Sequence, residues 1–179
     1  MSAESQQAVF RFLADPATHD GAAVKRIDTH AAAVFLAGDT AYKIKRAVKF
    51  PFLDFSTLEK RKAALLEEIE ANRPFAPEIY REVIPIVRRN GALALGGEGE
   101  RVEWVLTMHR FDDAQTLDHL ADADRLDAGV IEVLARAVAK AHTRAPVVDA
   151  GPWIAALGDY IEQNDTALRE GADCLRPAR

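Results

Sequence analysis

Val24-Lys25-Arg26-Ile27-Asp28-Thr29-His30-Ala31-Ala32-Ala33-Val34-Phe35-Leu36-Ala37-Gly38-Asp39-Thr40-Ala41-Tyr42-Lys43-Ile44-Lys45 is the stretch that decides the fold class. Gly38-Asp39 lies between two β-rich runs and signals a tight turn, and Thr29-His30-Ala31-Ala32 reads as a looser one. Three consecutive antiparallel strands are expected. Upstream, residues 3–13 form a short helical pattern that must end at Asp15-Pro16, because proline disfavours helix in the residue before it. Downstream, Ser56-Thr57-Leu58-Glu59 has the form of a capping box, with Ser56 at the cap and Glu59 reaching back to it. The helix it opens is expected to run to Asn72 or Arg73, where Pro74 stops it. At about 100° per residue, Leu58, Leu65 and Ile69 share one direction and make its core face, with Leu66 about 80° round. Lys62 projects near that face, which requires its ammonium to snorkel outward.

The next blocks repeat the β texture. Val83-Ile84-Pro85-Ile86-Val87 precedes Asn90-Gly91, a strong hairpin signal, and Ala92-Leu93-Ala94-Leu95 follows it. Gly96-Gly97-Glu98-Gly99 makes a second turn before an apolar strand over residues 102–108. The expected order is βββ-α-βββ. After Phe111 the pattern is helical: Asp124 is placed to cap a helix carrying Leu126, Val130, Ile131, Leu134, Val138 and Ala141, and Trp153, Ile154, Leu157, Tyr160 and Ile161 make a further stripe. The class is therefore α+β, with an α+β portion over residues 1–111 and a helical portion over residues 112–179.

Composition bounds the functional classes. In 179 residues, 49% are apolar and 28% are charged, enough to bury a core and remain soluble. The 23 basic and 28 acidic residues leave a net charge of −5, which argues against nucleic acid or an anionic membrane as partner. No apolar run approaches the roughly 18 residues that span a bilayer. Met1-Ser2-Ala3-Glu4-Ser5-Gln6-Gln7 has neither the basic nor the apolar region of a secretory signal, so a cytoplasmic location is expected. Cys174 is the single cysteine, which excludes an intrachain disulfide and a multi-cysteine zinc site.

The residues able to carry chemistry begin on the third strand. Alternation places Ala41 and Lys43 on one of its faces and Tyr42 and Ile44 on the other. A small side chain two residues before a lysine leaves room for a flat ring while the ammonium reaches phosphate oxygens. The blander alternative is a surface strand with Lys43 and Lys45 in water. Kinase-type sites pair such a lysine with a glutamate on the following helix, which holds the ammonium ready for phosphates. Of the four glutamates over residues 59–70, Glu67 points away from the core face and Glu59 and Glu70 lie about 100–120° to one side of it. Glu68 lies about 80° to the other side, on a polar seam with Arg61 and Asn72, where a sheet lysine can meet it.

With Thr29-His30, Val34-Phe35-Leu36-Ala37-Gly38-Asp39, Tyr42-Lys43-Ile44-Lys45, Phe52-Leu53-Asp54-Phe55-Ser56-Thr57-Leu58-Glu59, Arg61, Glu68 and Asn72-Arg73 in place, residues 24–145 resemble the N-terminal part of the aminoglycoside-phosphotransferase-like kinase family. The chain is most similar to the subgroup often fused to a P-loop kinase domain. The resemblance implies a protein-kinase-like N-lobe, a twisted antiparallel sheet crossed by one helix, and then the helical start of an incomplete C-lobe. It implies ATP as the nucleotide, held by Ala41, Lys43 and Glu68, with the backbone of Met108, His109, Arg110 and Phe111 reading adenine as the hinge. A small-molecule hydroxyl acceptor, such as an aminoglycoside, and Mg²⁺ would belong to a complete C-lobe.

Two departures from that family stand out. The glycine-rich phosphate loop is replaced by Thr29-His30-Ala31-Ala32. The His-Gly-Asp type motif, which supplies the catalytic aspartate and introduces the metal ligands, is absent: His19-Asp20-Gly21 precedes the first strand, and Asp118-His119 has the wrong order. No catalytic or metal-ligating residue is therefore assigned, and residues 1–179 alone are expected to be inactive. The alternative is a non-catalytic nucleotide-binding, regulatory or interaction module that keeps the lobe without the chemistry.

Overall fold

Strands β1 (Val24–Asp28), β2 (Ala32–Ala37) and β3 (Thr40–Lys45) form the antiparallel meander expected from residues 24–45. The computed structural model describes residues 3–171, so Cys174 lies outside the described residues. Gly38 takes φ +56° between β2 and β3, where a side chain would be strained. The looser turn is closed by Thr29, whose hydroxyl accepts the Ala32 N–H at 3.0 Å. Beyond β3 a two-residue hairpin, β4 (Lys49–Phe50) and β5 (Leu53–Asp54), precedes helix α2 (Leu58–Asn72). That hairpin is too short to carry a pattern in sequence.

Strands β6 (Tyr80–Arg89), β7 (Ala92–Leu95) and β8 (Glu100–His109) complete a six-stranded antiparallel sheet in the order β1-β2-β3-β8-β6-β7. Asn90 and Gly91 both have positive φ, as the hairpin signal requires. The last strand in sequence thus lies in the middle, where it joins the two halves of the sheet. Its edges are β1, whose outer residues are exposed, and the four-residue β7.

Helix α1 (Ala3–Ala14) is part of the core. Val9, Phe10 and Leu13 pack with Ala33, Phe35, Ile44, Ile86, Val102 and Val105, and Tyr42 joins them at the margin. Burying a large apolar side chain stabilises by about 1.5–3 kcal/mol, so α1 contributes substantially to the sheet's stability. Tyr42 and Ile44 therefore face this core, leaving the opposite side of β3 to Ala41 and Lys43.

The N-terminus of α2 differs from the capping box read in sequence. Thr57, not Ser56, is the cap, and its hydroxyl accepts the Lys60 N–H at 3.3 Å. Ser56 is taken by Asp54, which receives both its N–H (3.0 Å) and its hydroxyl (2.5 Å). Leu65 is fully buried on the expected core face, and Lys62 leaves that face by laying its ammonium 4.2 Å from the Trp104 ring centroid.

The chain divides into two compact units, residues 1–127 and 128–179. The first closes with helix α3 (Leu117–Asp122). The second contains α4 (Ala128–Arg144) and α5 (Gly151–Glu170). Helix α4 begins four residues after Asp124, which adopts φ +54° and so is not its cap.

Candidate functional site

Side chains on the free face of β3 look into a cleft of about 270 Å³. Val34, Leu36 and Ala41 from β2 and β3, Ile27 from β1, and Met108 from β8 supply apolar walls, and Phe111 and Asp113 stand where the chain leaves the sheet. Such a cavity, apolar with a few convergent charged groups, is the usual form of a small-molecule site. Ala41 sits opposite Met108 in the β3–β8 ladder, so its small side chain keeps the slot open at that level.

The charged floor is built from β3 and α2. Lys43 Nζ lies 2.6 Å from Glu68 Oε1, and Lys45 Nζ lies 2.7 Å from Glu68 Oε2. The lysines are two residues apart on one face of a strand, and the glutamate bridges them from the helix. The Lys43–Glu68 contact expected from alternation and helical phase is thus present, and Lys45, read only as a possible surface lysine, is the second partner. Side-chain exposure falls from 26% at Lys43 to 14% at Lys45 and 13% at Glu68, so Lys43 is the ammonium most open to the cleft. Burial pushes the Glu68 carboxyl up, but the hydrogen bonds and charges of Lys43 and Lys45 outweigh it and hold the group below the usual carboxylate range. Tyr80, also in the lining, has its phenol pushed up by burial and then by the nearby Glu68 charge.

Of the residues singled out in sequence, Ala41, Lys43, Glu68, Met108, Arg110 and Phe111 line this one cleft. His109 does not: its ring meets Arg81 Nη2 at 2.6 Å, and Arg81 also donates to the Thr40 hydroxyl at 3.1 Å. The backbone at the expected hinge is partly committed. The His109 N–H donates to Ile79 O and the Arg110 N–H to Asp39 O, both at 2.8 Å. At the mouth, Lys25 of β1 lies 3.5 Å from Asp113. His30, in the turn between β1 and β2, lies 6.3 Å from Phe50 between ring centroids.

Arg61 departs most from its expected place. It is fully buried rather than on a polar seam, and its Nε donates to both carboxylate oxygens of Glu103, at 2.9 and 3.0 Å. Glu103 is also fully buried and receives the Gln6 amide at 2.9 Å. No local pattern links these residues, which are 42 and 97 positions apart in sequence.

Among the described residues there is no group of three or more His, Cys, Asp or Glu side chains that could hold a metal ion. The cleft's own carboxylates are Asp113 and Glu68, and Glu68 is occupied by two lysines. These residues do not build a Mg²⁺ site. No helix among the described residues is long and apolar enough to cross a membrane.

Comparison with known proteins finds relatives by sequence alone. Over 149 residues, 82% of the chain, it is 32% identical to uncharacterized proteins of Mycobacterium bovis and of two strains of Mycobacterium tuberculosis. It spans 28% of the length of these curated relatives. No family model matches the chain. No solved structure matches it either.

Proposed function

We propose that residues 1–111 are a kinase-like N-lobe that binds ATP, and that the chain belongs to a small-molecule phosphotransferase of the aminoglycoside-phosphotransferase-like type. The observation that carries this reading is the Lys43–Glu68 pair, closed at 2.6 Å on the floor of a mostly apolar cleft. A strand lysine held by a helix glutamate is a preset phosphate grip: the ammonium is aimed before the ligand arrives, so less ordering is needed on binding. The flat base lies against the sheet face that Val34, Leu36, Ala41 and Met108 share, and the phosphates lie towards Lys43. Since the His109 and Arg110 N–H groups are bonded within the fold, base recognition falls to the remaining backbone groups of Met108 to Phe111.

Within residues 1–179 this grip holds a donor and aligns no acceptor. Phosphoryl transfer is driven by positioning and by stabilising charge on the transferred group. The groups that orient a hydroxyl are not among those described here. Activity, acceptor and metal are thus proposed for a longer protein of the size of the mycobacterial relatives.

Calorimetric titration of ATP into residues 1–179 and into Lys43→Ala tests the reading. Weak binding by the wild type and loss of most of it in the variant are expected, because the phosphates lose their charge partner. Equal affinity of the two proteins would remove the proposed role of Lys43, and no binding by either would remove the nucleotide. Transfer of the γ-phosphate to aminoglycosides or other hydroxyl compounds by residues 1–179, abolished in Lys43→Ala, would show a catalytic carboxylate inside them.

A further inference from the structure

We propose that the buried Gln6–Glu103–Arg61 constellation is a positioning device for the cleft, setting Glu68 and through it the Lys43 ammonium, with Lys45 as the second anchor of Glu68. Only its ligand readout rests on the nucleotide reading above.

The bonds form a closed circuit through four elements. Arg61, in the first turns of α2, grips Glu103 of β8 through Nε and donates from Nη1 to Phe55 O at 2.9 Å. Glu103 also accepts the Trp104 N–H at 3.0 Å and the Gln6 amide at 2.9 Å. The Gln6 side chain in turn donates to Lys45 O at 2.9 Å and accepts the Ala47 N–H at 2.8 Å. Helix α1 therefore fastens the end of β3, the strand carrying both lysines, to the carboxylate that anchors α2. The Lys45–Glu68 contact at 2.7 Å brings the circuit back to α2.

Arg61 and Glu68 are seven residues apart, which puts them about 10 Å apart along the axis and within about 20° of the same side. Two anchors separated along a helix limit its roll, slide and tilt together, more tightly than either one alone. Roll and slide of α2 decide where the Glu68 carboxylate stands over β3. Lys45 is not among the residues lining the cleft, and its ammonium lies 5.4 Å from the Phe55 ring centroid. It thus holds Glu68 from behind, so the carboxylate keeps a partner when Lys43 turns to an anion.

Stability alone is a poor reason for this arrangement. A buried ion pair gains little over apolar side chains of similar volume, and here Arg61 Nη2 is buried without a hydrogen-bond partner. What the circuit does provide is a single geometry.

The test is the pair of variants Arg61→Met/Glu103→Leu and Gln6→Met, each of which replaces polar groups by apolar ones of similar size. Three quantities are measured: the thermal midpoint, the rate at which acetic anhydride labels Lys43 relative to exposed Lys140, and the affinity for ATP. Both variants are expected to stay folded, with Gln6→Met held by Val9, Phe10 and Leu13. Lys43, released from a fixed Glu68, is expected to label faster. ATP affinity should fall about tenfold, the common size of a coupling between sites. Folded variants with wild-type Lys43 labelling overturn the proposal, whatever their ATP affinity. If the double variant does not fold, Gln6→Met decides by the same criterion. Failure of wild type to bind ATP removes the nucleotide reading and leaves the labelling comparison as the deciding measurement.

Discussion

Two ion clusters grip α2 two turns apart, and they differ in what water can reach. At Arg61–Glu103 both side chains are 0% exposed, and every acceptor of the arginine belongs to the protein. At Glu68 the Lys43 side chain keeps 26% of its surface open to the cleft. The first cluster has no exchange partner, so removing either half strands a charge in a place where hydration is lost. The second can trade one carboxylate contact for another anion at small cost, because solvent screens the exchange. A helix held by one permanent and one exchangeable grip can present a reactive ammonium without itself moving.

The largest effect expected from this contrast is at Glu103. Glu103→Ala leaves the Arg61 guanidinium buried and uncompensated, and a loss of about 3–5 kcal/mol is expected in urea unfolding. A loss below about 1 kcal/mol would show that water reaches Arg61 and that the two clusters are alike.

The pH dependence of the open cluster comes next. The Glu68 pKa is lowered in the folded state from an ordinary value of 4.5, so its contribution is fully present above that value. It is lost as pH falls through the lower folded pKa. Unfolding free energies of wild type and Glu68→Gln should therefore differ by a constant amount above about pH 5 and converge below pH 4.5. Convergence on the alkaline side instead would assign the effect to the lysines.

Lys43→Ala should cost less, about 1 kcal/mol or below, since Lys45 remains on Glu68 and the site is partly solvated. Unfolding by urea measures it, and a loss as large as that at Glu103 would erase the distinction drawn here. The smallest change is expected at Lys62→Met, which keeps the stem over Trp104 but deletes the charge, at about 0.5 kcal/mol.

The same contrast separates what the sequence discloses from what it hides. Glu68 was legible because strand alternation and helical phase are local and periodic: they place Lys43 and Glu68 on facing surfaces once β3 and α2 are recognised. Lys45 follows from the same alternation, but nothing local shows that Glu68 bridges both lysines. Arg61 was misplaced for the opposite reason. Helical phase puts it at the edge of the apolar face, and only β8, far along the chain, supplies the carboxylate that draws it inside. Gln6 is further still, on a helix whose periodicity gives a core face but not what its one buried amide meets. The cap of α2 turned on competition: Ser56 and Thr57 have equivalent hydroxyls, and Asp54 takes the first, leaving the second to the helix. Asp124 is no cap because its backbone is left-handed and three residues separate it from the start of α4.

The order of strands has one more effect. The two sheet edges are β1, with Lys25, Arg26 and Asp28 exposed along it, and β7, only four residues long between turns rich in glycine. Open edges are where a foreign strand adds itself by backbone pairing, and charge and brevity are the common deterrents. The longest strands of the sheet, β6 and β8, pair with each other between those edges. A neighbouring copy approaching this sheet in a crowded cell therefore meets charge along one edge and only a short strand at the other.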